Sequence, residues 1–294
     1  METLKLRLGR MKPAITLFYL SMMGFLSIFS TRKYLGLAFE PLDCFSFMGI
    51  IFGVYTLNRF TDTTEDFTND IGRLLYFQNK KTFLYLALTS LAVSILCLLY
   101  MQKMNWMHVL LLTMGFGYSY RLIPWYSREQ GLRMLRIKEM TFVKNLAVSF
   151  LWSSSVFVMP ILYSDASGFN ATMVWLLACG LFVSTLNNTL FDDILDAPGD
   201  RVAGIKTLPT LWGSRNSMRA LAAMDILWIA GVVTLRMAHR IDSPHATFLA
   251  FLGVYPFTYM GLHVLFPKSK GVVDYLSETD LLFFALGMLL LSQV

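Results

Sequence analysis

Apolar residues gather in about nine successive segments, at approximately 14–30, 44–57, 83–101, 106–120, 142–163, 171–190, 217–236, 246–265 and 280–294. A bilayer core of about 30 Å calls for about 20 apolar residues per helix, so the shorter segments must extend into their polar flanks to cross it. With 55% hydrophobic and 15% charged residues and a mean hydropathy of +0.54, the chain lies outside the range of a water-soluble domain. The expectation is an all-α integral membrane protein, a bundle of about nine transmembrane helices. The segment 14–30 lacks a small-residue cleavage site and is followed by Arg32 and Lys33, so it reads as a retained helix.

Basic residues orient the bundle. With the N-terminus cytoplasmic, Lys and Arg divide roughly twenty to five in favour of that side, only Arg32, Lys33, Lys103, Arg236 and Arg240 falling opposite. The C-terminus then lies across the membrane. The net charge of +6 is read partly as a topology signal and partly as cations available to an anionic ligand; the lipid bilayer is expected as a partner and nucleic acid is not. Cys44, Cys97 and Cys179 show no paired spacing, which argues against a disulfide framework and a zinc site. The four His residues are scattered, and no P-loop, dinucleotide fingerprint or nucleophile elbow is present.

Two polar stripes stand out against this background. Asn58, Asp62 and Asp66 are spaced four apart, as are Asn188, Asp192, Asp196 and Asp200, and each stripe begins where an apolar segment ends. Residues at i and i+4 share a helix face, so each stripe aims its oxygens in one direction. Carboxylates in such a row repel one another, and hard oxygen ligands of this kind suit Mg2+ or Mn2+. Thr56-Leu57-Asn58 precedes the first stripe and Thr185-Leu186-Asn187 the second, which suggests one domain, 1–294, made of two pseudo-repeated halves, roughly 1–140 and 141–294. A single site closed by both stripes is the corresponding expectation.

Carboxylates, cations and an apolar interior together suit a diphosphate ester with a hydrocarbon tail. Metal ions held by the carboxylates neutralise charge on the departing diphosphate, and Lys or Arg side chains complete the clamp.

The segment Asn58-Arg59-Phe60-Thr61-Asp62-Thr63-Thr64-Glu65-Asp66 resembles the first aspartate-rich motif, N-D-x-x-D-x-x-x-D, of the UbiA superfamily of intramembrane prenyltransferases, which includes UbiA-type terpene cyclases. Asp192-Asp193-Ile194-Leu195-Asp196-Ala197-Pro198-Gly199-Asp200 is similar to the second, D-x-x-D-x-x-x-D, and Gly204-Ile205-Lys206-Thr207-Leu208-Pro209 to the G-x-x-T-L-P that follows it, with Gly213 beyond. The resemblance implies a nine-helix bundle around a central cavity that opens to lipid and is capped on the cytoplasmic side by the motif loops. It implies Mg2+ and diphosphate groups at Asn58, Asp62, Asp66, Asp193, Asp196 and Asp200, with Asp192 an alternative to Asp193. Asp62, Asp196 and Lys206 are the expected catalytic groups, and Lys206 and Arg201 the expected diphosphate clamps. The stretch from Tyr118-Ser119-Tyr120 through Arg133 and Arg136 to Lys144-Asn145 resembles the family's basic segment, which adds Arg136, Lys138 and Lys144 as diphosphate ligands.

The chain departs from the family pattern in three places. Arg59 stands where the first motif has Asp, Lys12-Pro13 replaces Arg-Pro, and Leu122 lies four after Tyr118 where Tyr-x-x-x-Lys is usual. Three functions are compatible with these motifs, the first two sharing one ionising machinery. The first is a prenyltransferase that passes the prenyl group of a polyprenyl diphosphate to a hydrophobic acceptor. The second is a terpene cyclase that converts farnesyl or geranylgeranyl diphosphate to a cyclic product. The third is a non-catalytic diphosphate-lipid binder or transporter. Trp152 and Ser153-Ser154-Ser155 are read as helix-packing residues, and Pro160 as a kink or helix end.

Overall fold

Helices account for most of the chain in the computed structural model, which describes residues 2–61, 80–127, 131–162, 168–267 and 270–293. In chain order they are α1 (Glu2–Tyr34), α2 (Pro41–Thr61), α3 (Lys80–Tyr100) and α4 (Trp106–Ser119). An antiparallel hairpin, β1 (Ile123–Ser127) and β2 (Gly131–Leu135), and a 3-10 turn (Ile137–Glu139) lead to α5 (Val143–Leu162). There follow α6 (Ala171–Ala203), α7 (Leu208–Trp212), α8 (Ser214–Met237), α9 (Ser243–Val254), α10 (Pro256–Leu265), α11 (Lys270–Glu278) and α12 (Asp280–Leu291).

The described part of each expected apolar segment falls largely on helix. Among the described residues five stretches are long and apolar enough to cross a membrane: α3, α5, Ala171–Val202 of α6, α8, and Ser243–Leu265, which contains α9 and α10. The remaining segments lie on α1, α2, α4 and α12. The hairpin was not anticipated, since the stretch from Tyr118 to Asn145 reads as a basic loop; it pairs Ile123 with Leu135 and Trp125 with Arg133, and most of its side chains are exposed.

The described chain divides into two compact units. The first comprises 1–25, 40–144 and 198–206. Its centre is the pairing of α2 with α3, where Gly49 meets Ser90 and Ser94, which lie one helical turn apart, and Gly53, one turn after Gly49, meets Leu91 and Ala87. A Cβ on Gly49 would stand 3.0 Å from Ser90 Oγ, and one on Gly53 would collide with Leu91 and reach 3.0 Å from the Ala87 carbonyl oxygen. Small residues at this spacing let backbones approach where lipid supplies no hydrophobic drive for association. Ser90 Oγ uses the closeness to donate to the Gly49 carbonyl at 2.9 Å.

The second unit comprises 26–39, 145–197 and 207–294. Its interior gathers Leu190, Phe191, Leu221, Tyr255, Tyr259 and Met260 around α6, α8 and α10. Trp228 locks α8 to α9 by donating from Nε1 to the Leu249 carbonyl at 2.8 Å, and its ring lies where Gly253 leaves no room for a side chain. Pro256, without an N–H, separates α9 from α10 at Tyr255.

Local sequence explains the irregularities of α5. Pro160 cannot donate to the carbonyl of Val156, and the helix widens to a π turn over Ser154–Val158. Trp152, Ser153, Ser154 and Ser155 are all buried, and Ser153 Oγ donates back to the Ser149 carbonyl at 2.9 Å. These are packing roles, as expected. At the start of α9 the Asp242 carboxylate caps the His245 backbone N–H and accepts from His245 Nδ1 at 2.7 Å, leaving Nε2 to accept from the Tyr34 hydroxyl at 2.8 Å. Burial, with the nearby Asp242 charge, pushes the Tyr34 phenol up to about 12.

Candidate active site

The first motif begins at the C-terminal end of α2. Asn58 is half-buried there and accepts a hydrogen bond on Oδ1 from Ser119 Oγ at 3.1 Å, which ties the motif to the last residue of α4. Asp62 and Asp66 lie outside the described residues. On either side of that segment, Lys80 Nζ stands 5.9 Å from the centre of the Phe60 ring, within cation–π range.

A further cation reaches this motif from Arg136, which caps the 3-10 turn after the hairpin. Arg136 Nη1 donates to the Thr61 carbonyl at 3.2 Å, so its guanidinium sits at the residue preceding Asp62. Glu139 holds it in place, accepting from Arg136 Nε at 3.0 Å and from the Arg136 backbone N–H at 3.2 Å, while Arg121 Nη2 donates to the same carboxylate. Burial pushes the Glu139 carboxyl up, but these hydrogen bonds and the two guanidinium groups outweigh it and hold it below its ordinary value. Lys138 is buried and Lys144 half-buried, whereas Arg201 and Lys206 are exposed.

The second motif is wholly helical. Asp192, Asp193, Asp196 and Asp200 all lie on α6, so the expected i, i+4 stripe is real, and the helix continues through Pro198 to Ala203. Asp193 and Asp200 are buried; Asp192 and Asp196 are half-buried. Asn145, at the start of α5, donates from Nδ2 to Asp193 Oδ2 at 3.1 Å. Asp192 Oδ1 is buried and accepts no hydrogen bond among the described residues. Asp274 and Glu278 of α11 lie within electrostatic reach of Asp192, and Asn188 Nδ2 donates to the Ser277 carbonyl at 2.6 Å, fastening α11 alongside α6.

The glycine and threonine of the following loop have definite tasks. Gly204 takes a left-handed φ of 72°, and the Ile205 and Gly204 N–H groups return to the carbonyls of Asp200 and Arg201 at 2.8 and 3.3 Å. This is the Schellman arrangement that ends a helix, and it places the turn directly after the last aspartate. Thr207 then caps α7 in a box with Thr210, and Pro209 occupies the first turn, where its missing N–H is no loss. Thr141 Oγ1 donates to the Lys206 carbonyl at 2.8 Å, anchoring the loop that carries that side chain.

Hard oxygen donors of this kind fit a magnesium ion, and the buried Asp192 Oδ1 is an acceptor in search of a donor or cation. No three His, Cys, Asp or Glu side chains among the described residues converge enough to hold an ion by themselves. The reason is helical: Asp193 and Asp200 are about 10 Å apart along the axis at about 1.5 Å per residue. An ion on α6 therefore needs oxygens from outside that helix.

Sequence reading missed four groups at these places. Ser119 and Asn145 lay inside a recognised segment without a role, although polar residues at the end of α4 and the start of α5, both apolar helices, were a signal. Asp274 and Glu278 repeat the four-residue spacing of the stripes, which could have revealed them.

Comparison with known proteins bears directly on these motifs. The model of the UbiA prenyltransferase family matches residues 42–271, which include both motifs and the basic segment between them. The chain belongs to the UbiA prenyltransferase family. It is accordingly a multi-pass integral membrane protein of all-α, UbiA-like fold. Solved structures agree on the fold. The apo structure of a UbiA homologue from Aeropyrum pernix K1 superposes with a TM-score of 0.60 at 15% identity, covering 94% of this chain and 98% of that one. A UbiA homologue from Archaeoglobus fulgidus, bound to DMAPP and Mg2+, gives 0.59 at 12% identity, covering 96% and 98%. A membrane digeranylgeranylglyceryl phosphate synthase gives 0.55 at 17% identity, covering 98% and 99%. No curated protein matches the chain.

Proposed function

We propose that this chain is an intramembrane prenyltransferase that ionises a polyprenyl diphosphate with the help of Mg2+ and transfers the prenyl group to a hydrophobic acceptor. The observation that carries the reading is the helical row Asp192, Asp193, Asp196 and Asp200, terminated by the Gly204 turn and followed by the capped Thr207-Leu208-Pro209. Family membership supports it, as do two of the structural neighbours: one holds DMAPP and Mg2+, and another is a prenyl-lipid synthase.

Asn58, Asp62, Asp66, Asp192, Asp193, Asp196 and Asp200 are the proposed Mg2+ ligands, with Mn2+ an alternative ion of similar oxygen preference. The metal, when bound, neutralises charge on the departing diphosphate. Asn145 holds the Asp193 carboxylate in one rotamer, so that its other oxygen keeps a fixed direction. Arg136, steadied by Glu139, brings a bidentate cation to the first motif, and Lys138, Lys144, Arg201 and Lys206 add positive charge for the diphosphate. Apolar helices around the prenyl chain exclude water from the allylic cation until the acceptor captures it. The N-terminus and both motif loops are assigned to the cytoplasmic side and the C-terminus to the opposite one.

The test uses purified protein in detergent with Mg2+ and farnesyl or geranylgeranyl diphosphate, with and without a membrane lipid extract. Diphosphate release that needs the extract, together with a prenyl mass gain on a lipid, is the expected result. Release without extract, accompanied by a cyclic hydrocarbon or alcohol, would replace the transferase with a cyclase, and binding without release would leave a carrier. Asp62→Asn and Asp196→Asn are expected to abolish release while the protein stays folded, and Lys206→Ala to weaken capture of the diphosphate.

A further inference from the structure

The interior of the second unit holds a polar knot that the proposed chemistry does not use. Asn187 on α6, Asp225 on α8, Tyr259 on α10 and Asp280 on α12 are 1%, 0%, 0% and 4% exposed, and they sit among the leucines and aromatic rings of that core. Asn187 Nδ2 donates to Asp225 Oδ1, and Ser184 Oγ donates to Asp280 Oδ2 at 3.4 Å. Ser184 and Asn187 lie one turn apart on the same helix, so they bring the two carboxyl groups into electrostatic contact with each other and with the Tyr259 ring.

No Lys, Arg or His of the described residues pairs with Asp225. The groups facing it are Asn187 from α6, Tyr259 from α10 and Asp280 from α12. The helix α9, which also packs on α8, carries His245 as its one titratable side chain, and that histidine is engaged with Asp242 and Tyr34. An ionised carboxylate without a countercharge in such a place is strongly disfavoured.

Two atoms show how the problem is solved. Asp225 Oδ2 and Asn187 Oδ1 are buried and accept no hydrogen bond among the described residues, and they belong to the two planar groups already joined through Asn187 Nδ2 and Asp225 Oδ1. With Asp225 ionised both are acceptors and neither can satisfy the other. A single proton on Asp225 Oδ2 would make it a donor, and donation to Asn187 Oδ1 would close a cyclic pair of hydrogen bonds that removes both orphans at once.

We propose that Asp225 is a neutral carboxylic acid doubly hydrogen-bonded to Asn187, and that this pair is a positioning device for α6. Asn187 precedes Asp192 by five residues, about 7.5 Å along the helix at about 1.5 Å per residue. Fixing the rotation of α6 at Asn187 therefore fixes the direction in which Asp192, Asp193 and Asp196 leave it. This second part rests on the proposed prenyltransferase reading; the protonation state does not.

The experiment compares the full-length protein with Asp225→Asn and Asp225→Leu in detergent at pH 7 to 8. Infrared spectroscopy reads the protonated-carboxyl C=O band, and the thermal midpoint and the Mg2+ dependence of diphosphate release are measured in parallel. Asp225→Asn preserves a neutral cyclic amide pair, so it is expected to lose the Asp225 band while keeping the midpoint and the half-saturating Mg2+ concentration within about twofold of the parent. Asp225→Leu is expected to lower the midpoint and raise the half-saturating Mg2+ concentration. A parent spectrum whose protonated-carboxyl band is unchanged by Asp225→Asn overturns the neutral acid. Asp225→Asn behaving as badly as Asp225→Leu overturns it as well, because a carboxylate would then be required. Parental Mg2+ dependence in a folded Asp225→Leu protein overturns the positioning role. Absence of any turnover in the parent defeats the prenyltransferase reading and leaves the infrared and thermal tests intact.

Discussion

The Asn145 side-chain amide donates to Asp193 Oδ2 at 3.1 Å in a buried setting, so a residue from α5 holds one carboxylate of the second motif. Asn145→Ala removes this hydrogen bond to a carboxylate, at a cost of about 1–3 kcal/mol. Diphosphate release is expected to fall roughly five- to hundredfold if that loss is felt in the reacting complex. Steady-state assays at several Mg2+ concentrations check it, and parental rates at every concentration would remove Asn145 from the site.

Glycine at position 53 is required by the nearness of α3. Gly53→Ala places a Cβ against Leu91 and the Ala87 carbonyl, and backbone cannot turn aside as a side chain can. Destabilisation of about 1–3 kcal/mol is expected, read as a lowered thermal midpoint in detergent. A midpoint equal to that of the parent would show that α2 and α3 do not pack this closely.

The turn after the second motif makes a separate demand. Gly204→Ala forces a side chain into the left-handed region at φ 72° and is expected to cost about 1–2 kcal/mol. Because the Ile205 N–H caps the Asp200 carbonyl, the last turn of α6 should fray, and amide hydrogen exchange at residues 200–205 should quicken. Unaltered exchange there would separate the glycine from the helix end.

Glu139 predicts an acid limit. Its folded-state pKa is depressed below the ordinary 4.5. The stability it contributes is therefore complete above that value and is lost as the pH falls through the lower, folded one. Glu139→Gln should flatten the fall of the thermal midpoint below about pH 4.5, relative to the parent, and should loosen Arg136 from Thr61. An identical pH profile for the two proteins would mean that the turn is held by other contacts.

How much of this was legible beforehand differs between the two motifs. The aspartate row of α6 could be read directly, because a spacing of four residues means the same thing wherever a helix forms, and it forms here as far as Ala203. Glycine, threonine and proline in Gly204-Ile205-Lys206-Thr207-Leu208-Pro209 likewise act within six residues, as turn, cap and first-turn residue. The hairpin at 123–135 was not foreseen, since its strands carry exposed residues on most positions and so lack the alternation that marks a half-buried strand.

Local interactions, then, were determined by the sequence itself: the apolar segments and hence the membrane, the helical stripe, the helix end at Gly204 and the family to which these motifs belong. Tertiary structure decided which groups from distant positions complete them. Asn145 reaches Asp193 across 48 residues, Arg136 reaches Thr61 across 75, Ser119 reaches Asn58 across 61 and Asn187 reaches Asp225 across 38. No periodicity encodes such pairs, because a hydrogen bond between two helices depends on the rotation and crossing of both, and these are set by packing against all their neighbours at once.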